Sequence, residues 1–428
     1  MGCLIVGGGA AGLPAALHCR QCWPGESVTL IDGEREVGYY RPLLPQFMVG
    51  QMEEEKLFFW RPGGDPLLKV RCGVKAQSLD RANQTLFLET QEKLKYERLI
   101  LAPGGRPLIP PICAGNLWQG IFPIRDLTTV RDVREWLSKH REIVILGGGL
   151  VGVKTAVYLR QSGLNVSLVE KEDHLLPQVL TPGAARVVED HLQRGGIRLF
   201  LGGVLEDIQA EKGSLKSVQV GGQWLPCDTL LVAVGSTPNV GFLEGSGLLK
   251  NGELVVSPAL QTRDEKIYAA GDAMVISNSK GERFRPWTWP QAVSQGKLAA
   301  ANLYRFAPHP LSVLTRPNSM NLHGLSIVIL GAQVPGAERI SSARPAEGIY
   351  RELFLLDGRV VGGALVGDIS GAGPLHALMA SGREVSARVI WEIANLSRVG
   401  LDDEGLFRGN NRGQWRQAWF LLPQEFES

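Results

Sequence analysis

The sequence lacks any apolar run of the roughly 18 residues that a membrane-spanning helix needs, so no membrane partner is expected. It also lacks charge imbalance. Lys and Arg number 45 against 43 Asp and Glu, a net charge of +2, and no long basic run is present. A nucleic-acid partner is therefore not expected. The N-terminus, MGCLIVGGG, has no basic stretch or cleavage site before its first apolar segment and reads as a strand that begins almost at once. Cysteine is sparse: Cys3, Cys19, Cys22, Cys72, Cys113 and Cys227, of which only Cys19 and Cys22 are close in sequence. One CxxC without a second ligand pair reads as packed, reduced thiols, and that usage suits a cytoplasmic location. His174, His191, His309 and His323 show no metal-ligand spacing, so no metal site is expected. Neither a nucleophile–His set nor paired carboxylates for hydrolysis are visible.

Glycine, by contrast, is abundant. Its 52 residues amount to about 12% of the chain against a typical level near 7%, which implies many tight turns or close backbone approaches to ligands. A length of 428 residues suggests about three domains. The segment CLIVGGGAAGLPAALHCR is an apolar strand, then Gly7, Gly9 and Gly12, then an alanine-rich helix; SVTLID follows as a second strand ending in Asp32. This is a dinucleotide-binding fingerprint: a tight turn, a close approach to pyrophosphate, close helix–strand packing, and an acid for a ribose hydroxyl. The helix N-terminus offers free N–H groups and a positive dipole end to the phosphates. The whole unit recurs in EIVILGGGLVGVKTAVYLRQSGLNVSLVEKE, with Gly147, Gly149, Gly152 and a closing Glu170. A carboxylate there accepts hydrogen bonds from a 2′-hydroxyl and repels a 2′-phosphate, which favours NAD over NADP. Lys171 and Arg160 lie close enough in sequence to keep the choice open.

Two such units on one chain suggest FAD plus NAD(P)H. The chain resembles the FAD-dependent pyridine-nucleotide oxidoreductase superfamily. Four further segments carry the resemblance: YERLILAPGGRP and TLLVAVGSTPN, which look like the strand-ending stretches that return the chain between domains; KIYAAGDA, like the second FAD motif; and WTWPQAVSQGKLAAANL, like the helix beside the flavin pyrimidine ring. The resemblance implies an α/β fold with two Rossmann-like dinucleotide-binding domains, the FAD domain discontinuous and the NAD domain inserted in it, plus a C-terminal α+β interface domain. The expected boundaries are 1–115 and 243–318 for FAD, 116–242 for NAD, 319–390 for the interface domain and 391–428 for a tail. Asp357-Gly358-Arg359 reads as a hairpin turn. The cofactor-binding residues implied are Gly7, Gly9, Ala10, Ala11, Gly12, Asp32, Arg41, Pro42, Ala102, Gly104, Gly147, Gly149, Leu150, Val151, Gly152, Glu170, Gly235, Gly271, Asp272 and Gln291.

In the thiol branches of this superfamily a cysteine stands near the flavin at about the position of EVGYYRPLLPQFMVG, residues 36–50. That segment has none, and the region after residue 318 supplies none either. Cys72, in RCGV, reads as the start of a strand. The pattern Tyr-x-Arg-Pro-x-Leu resembles NADH:rubredoxin oxidoreductases and oxygenase-type ferredoxin reductases, which implies electron transfer between NAD(H) and an iron–sulfur protein: rubredoxin, ferredoxin, or a ferredoxin-like subunit of a larger complex. An NADH oxidase and a non-catalytic NADH-sensing flavoprotein are the alternatives. Those reductases carry a Lys after the Arg-Pro paired with a Glu on the NAD-domain helix; here the positions read Gln46 and Lys154. The catalytic candidates are Arg41, Lys154 and Trp289. Lys154 is either a cation near flavin N5 or N1, or a solvent-exposed helix lysine. Arg41 either approaches the flavin or nicotinamide, or fixes its loop by a salt bridge. Trp287 and Trp289 either stack beside the flavin or pack in the core, and Tyr39 and Tyr40 are open in the same way. The end of the tail, FRGNNRGQWRQAWFLLPQEFES, holds two Trp and several Arg, a composition common in interfaces, and the tail is expected to dock an iron–sulfur partner or a second subunit, or to wrap back on its own domain. Homodimer contacts through the third domain are an option.

Overall fold

The apolar run Cys3–Val6 is buried on both faces, as a central strand of a parallel sheet must be. The computed structural model, which describes residues 2–114, 118–278, 281, 283–285, 288–305, 307–311, 317–331 and 333–385, places this strand at the middle of five. The spatial order is Ile267–Ala269, Arg98–Leu101, Cys3–Val6, Val28–Asp32, Leu68–Cys72, all parallel. Cys72 therefore ends a strand, where the sequence suggested that one begins. Helix α1 (Gly12–Cys22) is the crossover between the first two strands and buries Leu13, Ala15, Ala16 and Cys19. The next segment, from Tyr39 to Leu57, contains the short helix α2 (Leu44–Met48), which buries Leu44, Phe47 and Met48. Each of these contributes about 1.5–3 kcal/mol of apolar burial.

The second parallel sheet repeats the first strand for strand. Its order is Arg198–Leu201, Asn165–Glu170, Glu142–Leu146, Thr229–Val232, Ile121–Pro123. Helices α3 (Leu127–Trp136), α4 (Leu150–Gln161) and α5 (Pro182–Arg194) accompany it. In both units a three-stranded antiparallel sheet precedes the return strand: residues 76–95 in the first, 205–226 in the second. The internal duplication thus extends past the glycine motif. Two short strands, Gly105–Pro107 and Ser236–Pro238, pair antiparallel where the chain leaves one unit and comes back from the other. Strand Ile267–Ala269 then closes the first sheet, and α6 (Trp289–Leu303) packs on α1, with Gly296 so close that a Cβ would lie 1.9 Å from the Ala11 carbonyl oxygen.

The third layer is an antiparallel sheet ordered Asn318–Leu322, Leu325–Gly331, Arg359–Val366, Ile349–Leu356, Glu338–Arg344, with α7 (Ala372–Ser381) on one face. Its central hairpin turns at Asp357 (φ 50°) and Gly358 (φ 70°), between paired Leu356 and Arg359. Two consecutive left-handed residues make the tight turn that matches strand twist. One apolar cluster joins all three parts: Tyr39, Phe47 and Met48 from the first unit, Val153 and Val188 from the second, Ile327 and Val366 from the third sheet.

Candidate functional site: two dinucleotide cradles and the loop between them

Register puts the same atoms together twice. Val6 pairs Ile31, and Leu146 pairs Val169, so each closing acid lies one residue beyond the ladder, beside the first glycine. Gly8 N–H donates to Asp32 Oδ2 at 2.5 Å, and Gly148 N–H to Glu170 Oε2 at 2.6 Å. The second carboxylate oxygen accepts from the N–H two residues on, Glu34 at 2.6 Å and Glu172 at 3.0 Å. Gly7 (φ 97°) and Gly147 (φ 103°) hold the turn in the left half of the backbone map. A Cβ on Gly12 would lie 1.7 Å from the Gly7 carbonyl oxygen, and on Gly152 1.8 Å from that of Gly147. The middle glycines differ. A Cβ on Gly149 meets nothing within 4 Å, and on Gly9 only the Arg41 guanidinium at 4.0 Å. This is open space beside helix ends that carry no side-chain cap, so both cradles fit a pyrophosphate held by backbone N–H groups. Burial, reinforced by Glu34, raises the Asp32 carboxyl above the ordinary range against the pull of the two N–H groups.

The remaining predicted residues gather around these cradles. Ala10, Ala11, Leu150 and the exposed Val151 belong to the loops and helix starts themselves. Ala102 N–H donates to the Val6 carbonyl at 2.8 Å, and Gly104 and Gly235 turn the chain into the paired linker strands. Asp272, in a 3-10 turn after Gly271, lies 3.6 Å from Arg125. Gly271 N–H donates to Gln295 at 2.8 Å, whereas Gln291 accepts from Thr288 N–H at 3.2 Å as the cap of α6.

Arg125 was not anticipated. It follows strand Ile121–Pro123 of the second parallel sheet, its guanidinium 3.3 Å from a Cβ on Gly104. Arg41 is committed on two sides: one nitrogen pairs with the Glu34 carboxylate, the other donates to the Arg125 carbonyl at 2.8 Å. Tyr39, buried, donates to the other Glu34 oxygen at 2.5 Å and receives the Leu127 N–H at 3.4 Å. Tyr39, Glu34 and Arg41 thus tie the first unit to the start of α3, and two guanidiniums converge on the mouth of the first cradle. The sequence signal for Arg125 was only its place just before the Asp126 cap of α3.

Lys154 projects from α4 towards this loop and donates to the Pro42 carbonyl at 2.6 Å. It is half-buried, and burial lowers its ammonium below the usual lysine range. No carboxylate pairs with it among the described residues. Gln46, on α2, hydrogen-bonds Tyr158 and leaves its buried carbonyl oxygen unpartnered. Trp289, the first residue of α6, closes an aromatic group with Tyr40 (5.9 Å) and Phe59 (6.3 Å), themselves 4.7 Å apart. Trp287 and the tail 391–428 lie outside the described residues. Of the cysteines, Cys3, Cys19, Cys113 and Cys227 are buried in cores, Cys22 is exposed at the end of α1, and Cys72 ends its strand; all are free.

Two dinucleotide cradles on one chain, one for FAD and one for NAD(H), define an FAD-dependent NAD(P)H oxidoreductase. The chain belongs to the pyridine nucleotide-disulphide oxidoreductase family, whose model matches residues 1–296. It is similar to a protein named NADH oxidase from Methanocaldococcus jannaschii, with 27% identity over 92% of this chain and 94% of the relative. It is also similar to a rubredoxin-NAD(+) reductase from Pseudomonas putida, with 27% identity over 76% of this chain and 86% of the relative. In fold it matches the crystal structure of a covalent putidaredoxin reductase–putidaredoxin complex, with a TM-score of 0.84 and 21% identity over 92% of this chain and 97% of that one. Among the described residues no helix is long and apolar enough to cross a membrane.

Proposed function

We propose that this chain moves electrons between NAD(H) and an iron–sulfur protein through FAD, with no thiol relay. The observation that carries the reading is the loop Tyr39–Leu44: it sits between the two cradles and contains no cysteine, while Cys3, Cys19, Cys113 and Cys227 are buried in cores. FAD supplies the conversion between hydride and single-electron transfer. The protein's own groups bind, orient and shield. Backbone N–H groups at α1 and α4 hold pyrophosphates; Arg41 and Arg125 add positive charge at the first cradle; Lys154 stands as a cation on the loop. Trp289 and Phe59 pack around Tyr40 of the loop.

Glu170 supports NADH over NADPH, since a 2′-phosphate would meet its carboxylate. The cations that could have rescued a phosphate are engaged elsewhere: Lys171 pairs with Glu172 at 3.2 Å, and Arg160 donates to the Gly195 and Leu164 carbonyls. The division into an FAD domain (1–115 with 243–318), an inserted NAD domain (116–242) and a C-terminal domain from 319 is supported by sheet membership, each parallel sheet drawing its strands from one of the first two parts. The second reading is an NADH oxidase, favoured by the name of the M. jannaschii relative. NADH-driven reduction of a purified rubredoxin and a [2Fe–2S] ferredoxin, run beside an oxygen electrode, tests the two. Reduction of either carrier well above the oxygen rate upholds the proposal, and oxygen uptake that matches NADH loss in their presence rejects it.

A further inference from the structure

The third sheet carries a carboxyl that the cofactor sites do not explain. Glu352, on strand Ile349–Leu356, is 1% exposed, and it faces the second unit while its neighbour Arg351 pairs with Asp368. Thr181 Oγ donates to Glu352 Oε2 at 2.5 Å, and Thr181 N–H lies 3.5 Å from Oε1. Thr181 is the N-cap of α5, with Pro182 as the first helical residue. A carboxyl from another domain therefore stands at the positive end of this helix. Burial raises Glu352 above the ordinary carboxyl range, with the Thr181 contacts opposing it. The seating is close, since a Cβ on Gly183 would lie 2.5 Å from the Tyr350 hydroxyl.

Thr181 also ends the loop that begins at Glu170. That loop is pinned to the glycine turn itself: Leu176 N–H donates to the Gly148 carbonyl at 2.9 Å, with Leu176 held at φ 56°. A β-carbon on Gly148 would meet the Leu175 side chain at 2.6 Å. Leu175 N–H is in turn held by Glu189 of α5 at 2.9 Å. The loop thus has one anchor in the glycine turn, one on α5, and one in the third sheet.

We propose that Glu352 is a positioning residue for the second dinucleotide cradle: by holding Thr181 it fixes the 171–181 loop against the glycine turn, so that the C-terminal sheet sets the affinity for NAD(H). The inference rests on the reading of Gly147–Glu170 as the NAD(H) site. It is tested on the FAD-loaded full chain by calorimetric titration with NAD+, where no turnover occurs. Glu352→Ala and Thr181→Val should each weaken NAD+ binding about tenfold, within the usual span of coupling between sites. Glu352→Gln, which can still accept from the Thr181 hydroxyl, should restore most of it. KM for NADH should rise in step while kcat with ferricyanide stays near the wild-type value. Glu170→Ala serves as the control for the site. If it abolishes NAD+ binding while the Glu352 and Thr181 variants bind normally with only a lower melting temperature, the positioning role is wrong and the site stands. If Glu170→Ala binds NAD+ normally, the site reading itself fails. Should Glu352→Ala not fold, the Thr181→Val and Glu352→Gln pair decides alone.

Discussion

The two glycines at the start of α4 should respond to the same methyl group in opposite ways. Gly149 has φ −77° and ψ −174°, which alanine adopts without strain, and a Cβ there meets nothing within 4 Å. Two small terms then apply to the unliganded protein. Stiffening the unfolded chain favours the folded state by about 0.4–1 kcal/mol, and replacing glycine by alanine at an N-cap costs a similar amount. Gly149→Ala should therefore leave stability within about 1 kcal/mol of wild type. Its methyl occupies the space through which a pyrophosphate reaches the backbone. Losing one hydrogen bond to a charged group costs about 1.5–3 kcal/mol, which is a roughly ten- to hundredfold rise in the Kd for NADH. Gly152→Ala is the converse: its Cβ would lie 1.8 Å from the Gly147 carbonyl oxygen, so α4 must move, at a cost of about 1–3 kcal/mol or more. Urea denaturation and NADH titration on both variants are the assays. Wild-type NADH affinity in Gly149→Ala, with the protein folded, would refute the assignment of this cradle.

Other consequences are more local. Replacing Glu34 with Ala strips partners from Arg41 and buried Tyr39 together, and should destabilise by about 1–3 kcal/mol, read by denaturant melts. Arg125→Ala removes a guanidinium from the mouth of the first cradle, and should weaken FAD rebinding to apoprotein roughly ten- to hundredfold, read by flavin fluorescence. Lys154→Met should lower the FAD reduction potential, because a cation that favours the anionic reduced state is lost; an unchanged potential and hydride-transfer rate would remove Lys154 from the chemistry. The same variant carries a pH signature. Burial lowers the Lys154 pKa, so between that value and the ordinary lysine value the unfolded chain binds a proton that the folded chain has released, and wild-type stability rises with pH across this window. The stability of the methionine variant relative to wild type should accordingly fall as the pH rises, as urea melts at a series of alkaline pH values would show.

What was legible in the sequence was local. Both glycine turns, both closing acids and the Asp357-Gly358 hairpin depend on backbone conformation over a few residues, and their residue types report it directly. The loop 36–50 was legible as a place without cysteine. What stayed hidden was assembled by packing between distant segments. Arg125 meets Arg41 across 84 residues and Glu352 meets Thr181 across 171, and no spacing rule reaches that far. The Lys154 exchange was visible, but its partner was not: the ammonium settles on a backbone carbonyl of the loop, Pro42, which any residue could have offered. The duplicated three-stranded sheets were hidden for another reason. Their strands are partly exposed, and in strand Ser214–Val220 the buried residues Leu215, Val218 and Val220 break strict alternation.

The most direct test of a thiol-free centre is an anaerobic titration of the FAD-loaded protein with NADH, followed in the flavin spectrum. The account predicts full reduction by about one equivalent of NADH per FAD, because the flavin is the sole two-electron store. Uptake of about two equivalents, with a thiol–flavin charge-transfer band at the halfway point, would contradict it.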